Sequence, residues 1–237
     1  MELIWRGITK AFWLLLTGDP EVLRITFLSL KVSGLATLCA LFLGIPSGAI
    51  LALTRFPGRG LMISLVNTGM GLPPVVVGLF VTVFLWRNGI LGFLSLLYTP
   101  GAMILAQVVI AFPIVAGLTL AALQGLNPKL RVQLLALGAS RVQLVVLLLR
   151  EARLPLLAAV MAGFGGVISE VGAVLMVGGN IKGQTRVLTT ATVLETRMGN
   201  FEVAIALGIL LLVLTFAVNF ILTRIQQQGQ IRWPKPS

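Results

Sequence analysis

Few residues in this chain could carry covalent chemistry. Its 237 residues include no histidine, one cysteine and seven acidic residues. Without histidine the commonest proton carrier and metal ligand is missing. Cys39 lies inside an apolar run, where a thiol is a small packed hydrophobe, and it has no internal disulfide partner. The apolar stretches hold no paired acids, which argues against metalloprotease or aspartyl chemistry, and no base stands beside any serine nucleophile. The one ionisable group in an unusual place is Glu170, the only charge in "ISEVGAVLMVGGNI", Ile168 to Ile181. A carboxylate within a membrane span is costly and faces the bundle interior. Two roles are open to it. It can pin neighbouring helices through a backbone N–H or a hydroxyl such as Ser169, or it can belong to a gate whose partner changes between states. Gly172, Gly178 and Gly179 in the same stretch let another backbone come close, and Ala173 and Asn180 complete it.

The next residues offer a different chemistry. Lys182, Gln184, Thr185, Arg186, Thr189 and Thr190 follow within a short loop. A tetrahedral dianion wants positive charge together with N–H and O–H donors. Lys182, Thr185 and Arg186 could form the mouth of an anion pathway. The plainer alternative is that these charges pair with Glu195 or Glu202, or touch a partner protein. Tight anion binding deep inside is not expected, because apolar runs one, two, three and five carry no central cation; Lys31, near the start of the first, can snorkel to the surface. No G-x-x-x-x-G-K-[ST] loop is present, so nucleotide hydrolysis, with its ATP and magnesium, would have to come from another chain.

These groups must be positioned by membrane helices. The composition is 57% hydrophobic and 11% charged, with a mean hydropathy of +1.03, against about a quarter charged in soluble domains. Charge-free runs extend over Val32–Leu53, Gly60–Trp86, Asn88–Pro128 and Val203–Thr223. About 20 apolar residues cross a bilayer. Five spans are expected, near 24–54, 61–86, 101–124, 155–177 and 202–224. The segment "AFWLLLTG" is too short for a cleavable signal and lacks its small-residue site. Residues 1–18, with Trp5, Arg6, Lys10, Phe12 and Trp13, predict a helix lying in the interface. Five spans put the termini on opposite sides. With the N-terminus outside, ten of the 18 cations lie inside, five of them in the 125–154 loop, which is the orientation the positive-inside rule favours. The net charge of +11 is explained by this flanking pattern, and no nucleic-acid partner is expected.

The 125–154 loop, "NPKLRVQLLALGASRVQLVVLLLREARLP" from Asn127 to Pro155, is the most telling segment. Asn127-Pro128 reads as a turn and helix start. Leu130, Leu134 and Leu137 recur at helical spacing, Gly138 interrupts, and Val142, Val145, Val146 and Leu149 follow. This predicts a helix, a glycine joint and a second helix, projecting as a knob with Leu137 and Val142 free to dock. An amphipathic loop lying on the lipid surface is the alternative.

The segment resembles the coupling loop of ABC-transporter permeases, where a Gly-Ala-Ser joint separates two short cytoplasmic helices and a proline-led span follows. "ALGAS", Ala136 to Ser140, and Leu154-Pro155 match. Val132-Gln133-Leu134 departs from the family's Glu-Ala-Ala, and the interval from Gly138 to Pro155 is longer by about one helical turn, ~4 residues. "GLPPVVVGL", Gly71 to Leu79, with Pro73 and Pro74, together with Ser169–Ala173 and Gly179–Arg186, resembles the molybdate, tungstate and sulfate permeases, the tungstate type most of all. The resemblance covers nearly the whole chain. It implies an all-α type I importer fold in which residues 1–237 form a single transmembrane permease domain with a cytoplasmic tail at 225–237. It implies a homodimer in the cell membrane, separate ATPase subunits docked on Leu137, Gly138, Ala139, Ser140 and Arg141, and an extracytoplasmic oxyanion-binding protein. Pro73, Pro74, Glu170, Gly172, Ala173, Gly178, Gly179 and Asn180 would line the pathway or its gate. No cofactor is implied in this chain. The cargo would be tungstate, with molybdate and sulfate as alternatives. A transporter or channel driven by an ion gradient is the rival reading, and Glu170 is the only residue that speaks for it.

Overall fold

The computed structural model describes residues 2–230, and all the regular elements among them are helices. The expected tail from 231 onward lies outside the described residues. Proline sets many of the helix starts. Pro20, Pro74, Pro100 and Pro128 each stand in a first turn, where the missing N–H costs nothing. Asp19, Thr99 and Asn127 precede three of them and accept the first free backbone N–H groups.

Three helices are long and apolar enough to cross a membrane: α2 (Pro20–Leu53), α5 (Pro100–Gln124) and the long final helix, Phe201 to at least Gln227. At ~1.5 Å per residue, the 34 residues of α2 extend about 51 Å. The expected second and fourth spans are not single helices. The second is α3 (Arg59–Met70) followed by α4 (Pro74–Leu85), with a 105° bend between them. The fourth is α8 (Arg153–Ile168) followed by α9 (Gly172–Gly178), bent by 57°. The prolines explain the first break: Pro73 and Pro74 both lack the N–H that would continue α3. The number of crossings is therefore three, or five when each bent pair counts as one.

The N-terminal helix α1 (Glu2–Thr17) does more than lie at an interface. It docks on the final helix, α11 (Phe201–Gln230), with Gly7 seated on Ile205 and with Ala11 and Leu14 buried beside Ala206. Trp5, Phe12 and Trp13 remain exposed, as an anchoring helix requires. Three further helices lie between the long ones: α6 (Pro128–Ala136) with α7 (Arg141–Glu151), and α10 (Leu188–Arg197). The stretch holding α10 was expected to be loop. The sequence expectation also placed a tail from 225, but α11 continues through that point to Gln230.

The fold is centred on α2 and α5, the most extensive helix pair. Their axes approach closely because Gly44 faces Val115 and Gly48 faces the Ala116 carbonyl and Thr119. Lipid tails give helices no hydrophobic reason to associate, so close van der Waals packing over small residues does that work. Gly69 against Pro113 and Gly117 against Met70 bring α3 onto the same helix. Gly48→Val would force its side chain into the Ala116 carbonyl. The expected cost is about 1–3 kcal/mol, read as a lower unfolding temperature of the detergent-solubilised chain; Gly34→Ala, where an added methyl meets open space, should leave that temperature unchanged.

Candidate functional site

The sequence-predicted residues fall into three regions along α2: its C-terminal end, its middle and its head. At its C-terminal end sits the α6–α7 knob. Asn127 Oδ1 accepts from Lys129 N and starts α6. The chain then turns at Gly138, whose φ of +83° strains any side chain, and the amides of Gly138 and Ala139 bond back to Leu135 and Leu134. Ser140 and Gln143 form a reciprocal capping box: Ser140 N donates to Gln143 Oε1 at 2.8 Å, and Gln143 N to Ser140 Oγ at 3.4 Å. The helix–glycine–helix reading therefore matches the local structure.

The knob is tied to the bundle through one face only. Leu144 and Leu148 bury against Ala49 and Leu123, and Arg131 donates to the Leu53 carbonyl at the end of α2. Leu137 and Val142 point outward, 84% and 75% exposed. Between α6 and α7 lies an open cleft of about 580 Å³, lined by Leu134, Leu137, Ala139, Val142, Val146 and Leu147. The sequence pattern singled out Val142 and Val146 on α7 but missed Leu144 and Leu148, the pair four residues apart that holds the helix down. A single buried residue, Ala152, ends α7 and begins α8. Farther along, Gln226 of α11 donates to the Leu154 carbonyl.

Beside the middle of α2, where Val167 packs on Ala40, Glu170 occupies the break between α8 and α9. It is 9% exposed, and its Oε1 accepts from Ala173 N at 2.9 Å. It thus does for α9 what a capping carboxylate does for any helix start. Its partner is a backbone N–H, one of the two alternatives open from the sequence; Ser169 instead donates to the Gly165 and Gly166 carbonyls. The Glu170 carbonyl accepts from Thr189 Oγ1, and Gln107 of α5 donates to the Val167 carbonyl at 2.8 Å. Close packing completes the region. Gly78 of α4 rests on Ala173, and Gly172 on Val75, so the half of the second span that begins at Pro73-Pro74 lies directly on α9. Gly178 meets Met103 of α5, and Gly179, at φ +70°, lies beside the Tyr98 ring. Asn180 is also left-handed at φ 51°, with its Oδ1 buried and unbonded.

The residues after Asn180 divide differently from expectation. Thr185, Thr189 and Thr190 are buried. Thr185 accepts from Ile181 N and donates to the Gly178 carbonyl, and Thr190 caps α10 through Val187. They are internal braces, and Thr185 is not available at an open mouth. Lys182 and Arg186 do stand at a surface cavity. Their acidic partner is neither Glu195 nor Glu202, but Glu21 at the head of α2, at 2.8 and 3.5 Å. Glu195 bonds to Asn200 and Glu202 to Arg6. Sequence reasoning missed Glu21, Gln107 and Ser29, whose hydroxyl accepts from Leu188 N. The "DPE" helix start at Asp19–Glu21 was the available signal for the first.

The chain is similar to several known proteins. Residues 44–228 match the family described as "Binding-protein-dependent transport system inner membrane component". The tungstate uptake system permease protein TupB of Peptoclostridium acidaminophilum is 41% identical over 96% of this chain and 100% of its own length. A probable anion ABC transporter permease protein of Haloferax volcanii is 43% identical over 84% of this chain and 88% of its own length. The molybdenum transport system permease protein ModB of Escherichia coli K12 is 30% identical over 89% and 96%. Among solved structures, an inward-facing MetNI methionine ABC transporter superposes with a TM-score of 0.74 at 23% identity, covering 89% of this chain and 98% of that one. A bacterial ABC transporter importing alginate gives 0.75 at 19% identity, over 91% and 82%.

Two substitutions separate the two roles open to Glu170. Glu170→Gln keeps an acceptor for Ala173 N, whereas Glu170→Ala leaves that amide unpaired. If the side chain is a brace, the alanine variant should lose about 1–2 kcal/mol of stability, seen as a lower unfolding temperature, and the glutamine variant should stay close to the parent in both stability and activity. A stable glutamine variant that has lost activity would instead place the charge in a gate.

Proposed function

The chain belongs to the binding-protein-dependent transport system inner membrane components, and from that membership we propose that it is the membrane-spanning subunit of an ATP-driven oxyanion importer, with tungstate as its cargo. Membership makes it a multi-pass membrane protein and a permease subunit, with ATP hydrolysis assigned to a separate chain. The observation that carries the rest is the α6–Gly138–α7 knob in a chain so similar to tungstate permeases over nearly its whole length. Molybdate and sulfate are the alternative cargoes, in keeping with the weaker similarity to permeases for those anions.

In this reading the exposed Leu137, with Gly138, Ala139, Ser140 and Arg141, enters a groove on the ATPase subunit, which holds ATP and magnesium. One chain supplies half of a pathway and two copies complete it. The knob faces the cytoplasm. The head of α2 and the Lys182–Arg186 loop then face outward, where an oxyanion-binding protein delivers its cargo, and the N-terminus is outside with them. Closure of the ATPase pair would draw the two knobs together. Their buried faces, anchored on Ala49, Leu123 and the Leu53 carbonyl, would transmit that displacement to α2, α5 and α8. Pro73 and Pro74, and Glu170, Gly172 and Ala173, sit at the helix breaks, where one half of a span can tilt against the other, and Gly178, Gly179 and Asn180 close the far end of α9. This is the role given to them in the pathway.

The decisive assay is ATP hydrolysis in proteoliposomes holding the chain, its ATPase and its binding protein, with tungstate, molybdate or sulfate added. Tungstate is expected to stimulate hydrolysis most; a response confined to another anion moves the cargo, and none at all with a verified complex removes it. Leu137 is exposed at the rim of the α6–α7 cleft, so Leu137→Asp should leave the chain folded. It should abolish stimulation, a loss of about tenfold or more as for a buried interface anchor. Gly138→Asp, also open to solvent but strained at its positive φ, should uncouple while the chain remains in the membrane. Full stimulation by both variants would remove the knob from the coupling path.

A further inference from the structure

Three cations and one carboxylate share a small cavity at the head of α2. It measures about 240 Å³, and Glu21, Arg24, Lys182, Gly183 and Arg186 line it above the apolar Ile25 and Leu28. Glu21 spans two of the cations, with Oε2 at 2.8 Å from Lys182 Nζ and Oε1 at 3.5 Å from Arg186 Nη1. The third, Arg24, has no hydrogen bond or ion pair among the described residues. Its guanidinium lies against Gly183, whose φ is +76° and whose added Cβ would stand 3.5 Å from Arg24 Nη1. Arg186 is only 17% exposed at its side chain, and its Nε is buried without a hydrogen bond. The other nearby acid, Asp19, is spent on the amides of Glu21 and Val22.

The charges do not balance. One carboxylate faces three cations, and both guanidinium groups keep unused donors. Guanidinium forks match tetrahedral oxyanions well, with two parallel N–H···O bonds. Glu21 is 43% exposed at its side chain and could turn outward into water without strain on the helix. We propose that this cavity binds a tetrahedral oxyanion of about two negative charges, and that Glu21 is an internal counter-anion which the ligand displaces from Lys182 and Arg186. Arg24 supplies the contact that Glu21 does not use. Glu21 thereby supplies the cavity's own counter-charge, and an incoming dianion trades one negative charge for two. The binding chemistry stands on these residues alone. Its identity as cargo rests on the transport reading; the phosphomonoester headgroup of a lipid offers the same chemistry.

The test uses the full chain and its Glu21→Gln, Arg24→Ala and Arg24→Lys variants, each checked for an unchanged unfolding temperature. In detergent free of phospholipid, equilibrium dialysis measures tungstate, molybdate and sulfate binding. In phosphatidylcholine nanodiscs, native mass spectrometry counts retained phosphatidic acid. Glu21→Gln should tighten binding about threefold or more, the weight of two partly exposed ion pairs. Arg24→Ala should weaken it about tenfold, and Arg24→Lys should restore part of that loss. Such shifts for the free anions support a cargo site, and shifts confined to phosphatidic acid support a lipid phosphate site. If neither ligand responds to any of the three variants, the proposal is overturned. Anion-stimulated ATP hydrolysis would be unaffected by that result, so the transport reading fails or stands separately.

Discussion

Every backbone N–H and C=O inside hydrocarbon must find its partner within the protein. An unbroken helix meets most of this requirement by itself, as α2, α5 and α11 do, apart from the carbonyls left over by Pro46 and Pro113 inside α2 and α5. The two broken spans cannot, and several buried polar residues serve the break between α8 and α9 and the turn after it. Glu170 takes the Ala173 amide, Gln107 reaches across from α5 to the Val167 carbonyl, and Thr189 covers the Glu170 carbonyl. Thr185 closes the turn that follows α9 from both sides. A carboxylate in so apolar a stretch thus has at least one partner, the amide it satisfies.

Small residues supply the complementary half of the design. Polar braces hold the breaks open to one geometry, and glycine lets other helices come close enough to bury them. Gly78 on Ala173 and Gly172 on Val75 lock the second half of one broken span to the second half of the other. Gly44 and Gly48 fasten the unbroken pair, α2 and α5. The result is a rigid frame around two segments that have lost helical continuity.

Much of this was legible in the sequence, because apolar length, proline and glycine each act locally. The long spans, the glycine joint at 138 and the helix on either side follow from such rules. The bends did not: Pro73-Pro74 announces that a helix stops, but whether the chain then continues straight or turns by 105° depends on which neighbours receive it. Partner choice was equally hidden. Lys182 and Arg186 invited pairing with the acids that follow them in the chain, yet the fold brings them to Glu21, more than 150 positions earlier. The threonines of the 185–190 stretch read as donors for a ligand because hydroxyls look alike in sequence. Burial assigned them to the backbone. Helix α10 was missed because its threonines and its Glu195 weaken the apolar rhythm.

The junction between α7 and α8 has a mechanical meaning. Ala152 alone closes one helix and opens the next, with its side chain fully enclosed. A linker of several residues would act as a soft spring, absorbing a displacement at one end before any load reached the other. Here there is almost no slack to take up. A displacement of α7 would reach α8 through that one residue, with little slack between them. Lengthening the joint would leave every contact surface intact and change only its compliance.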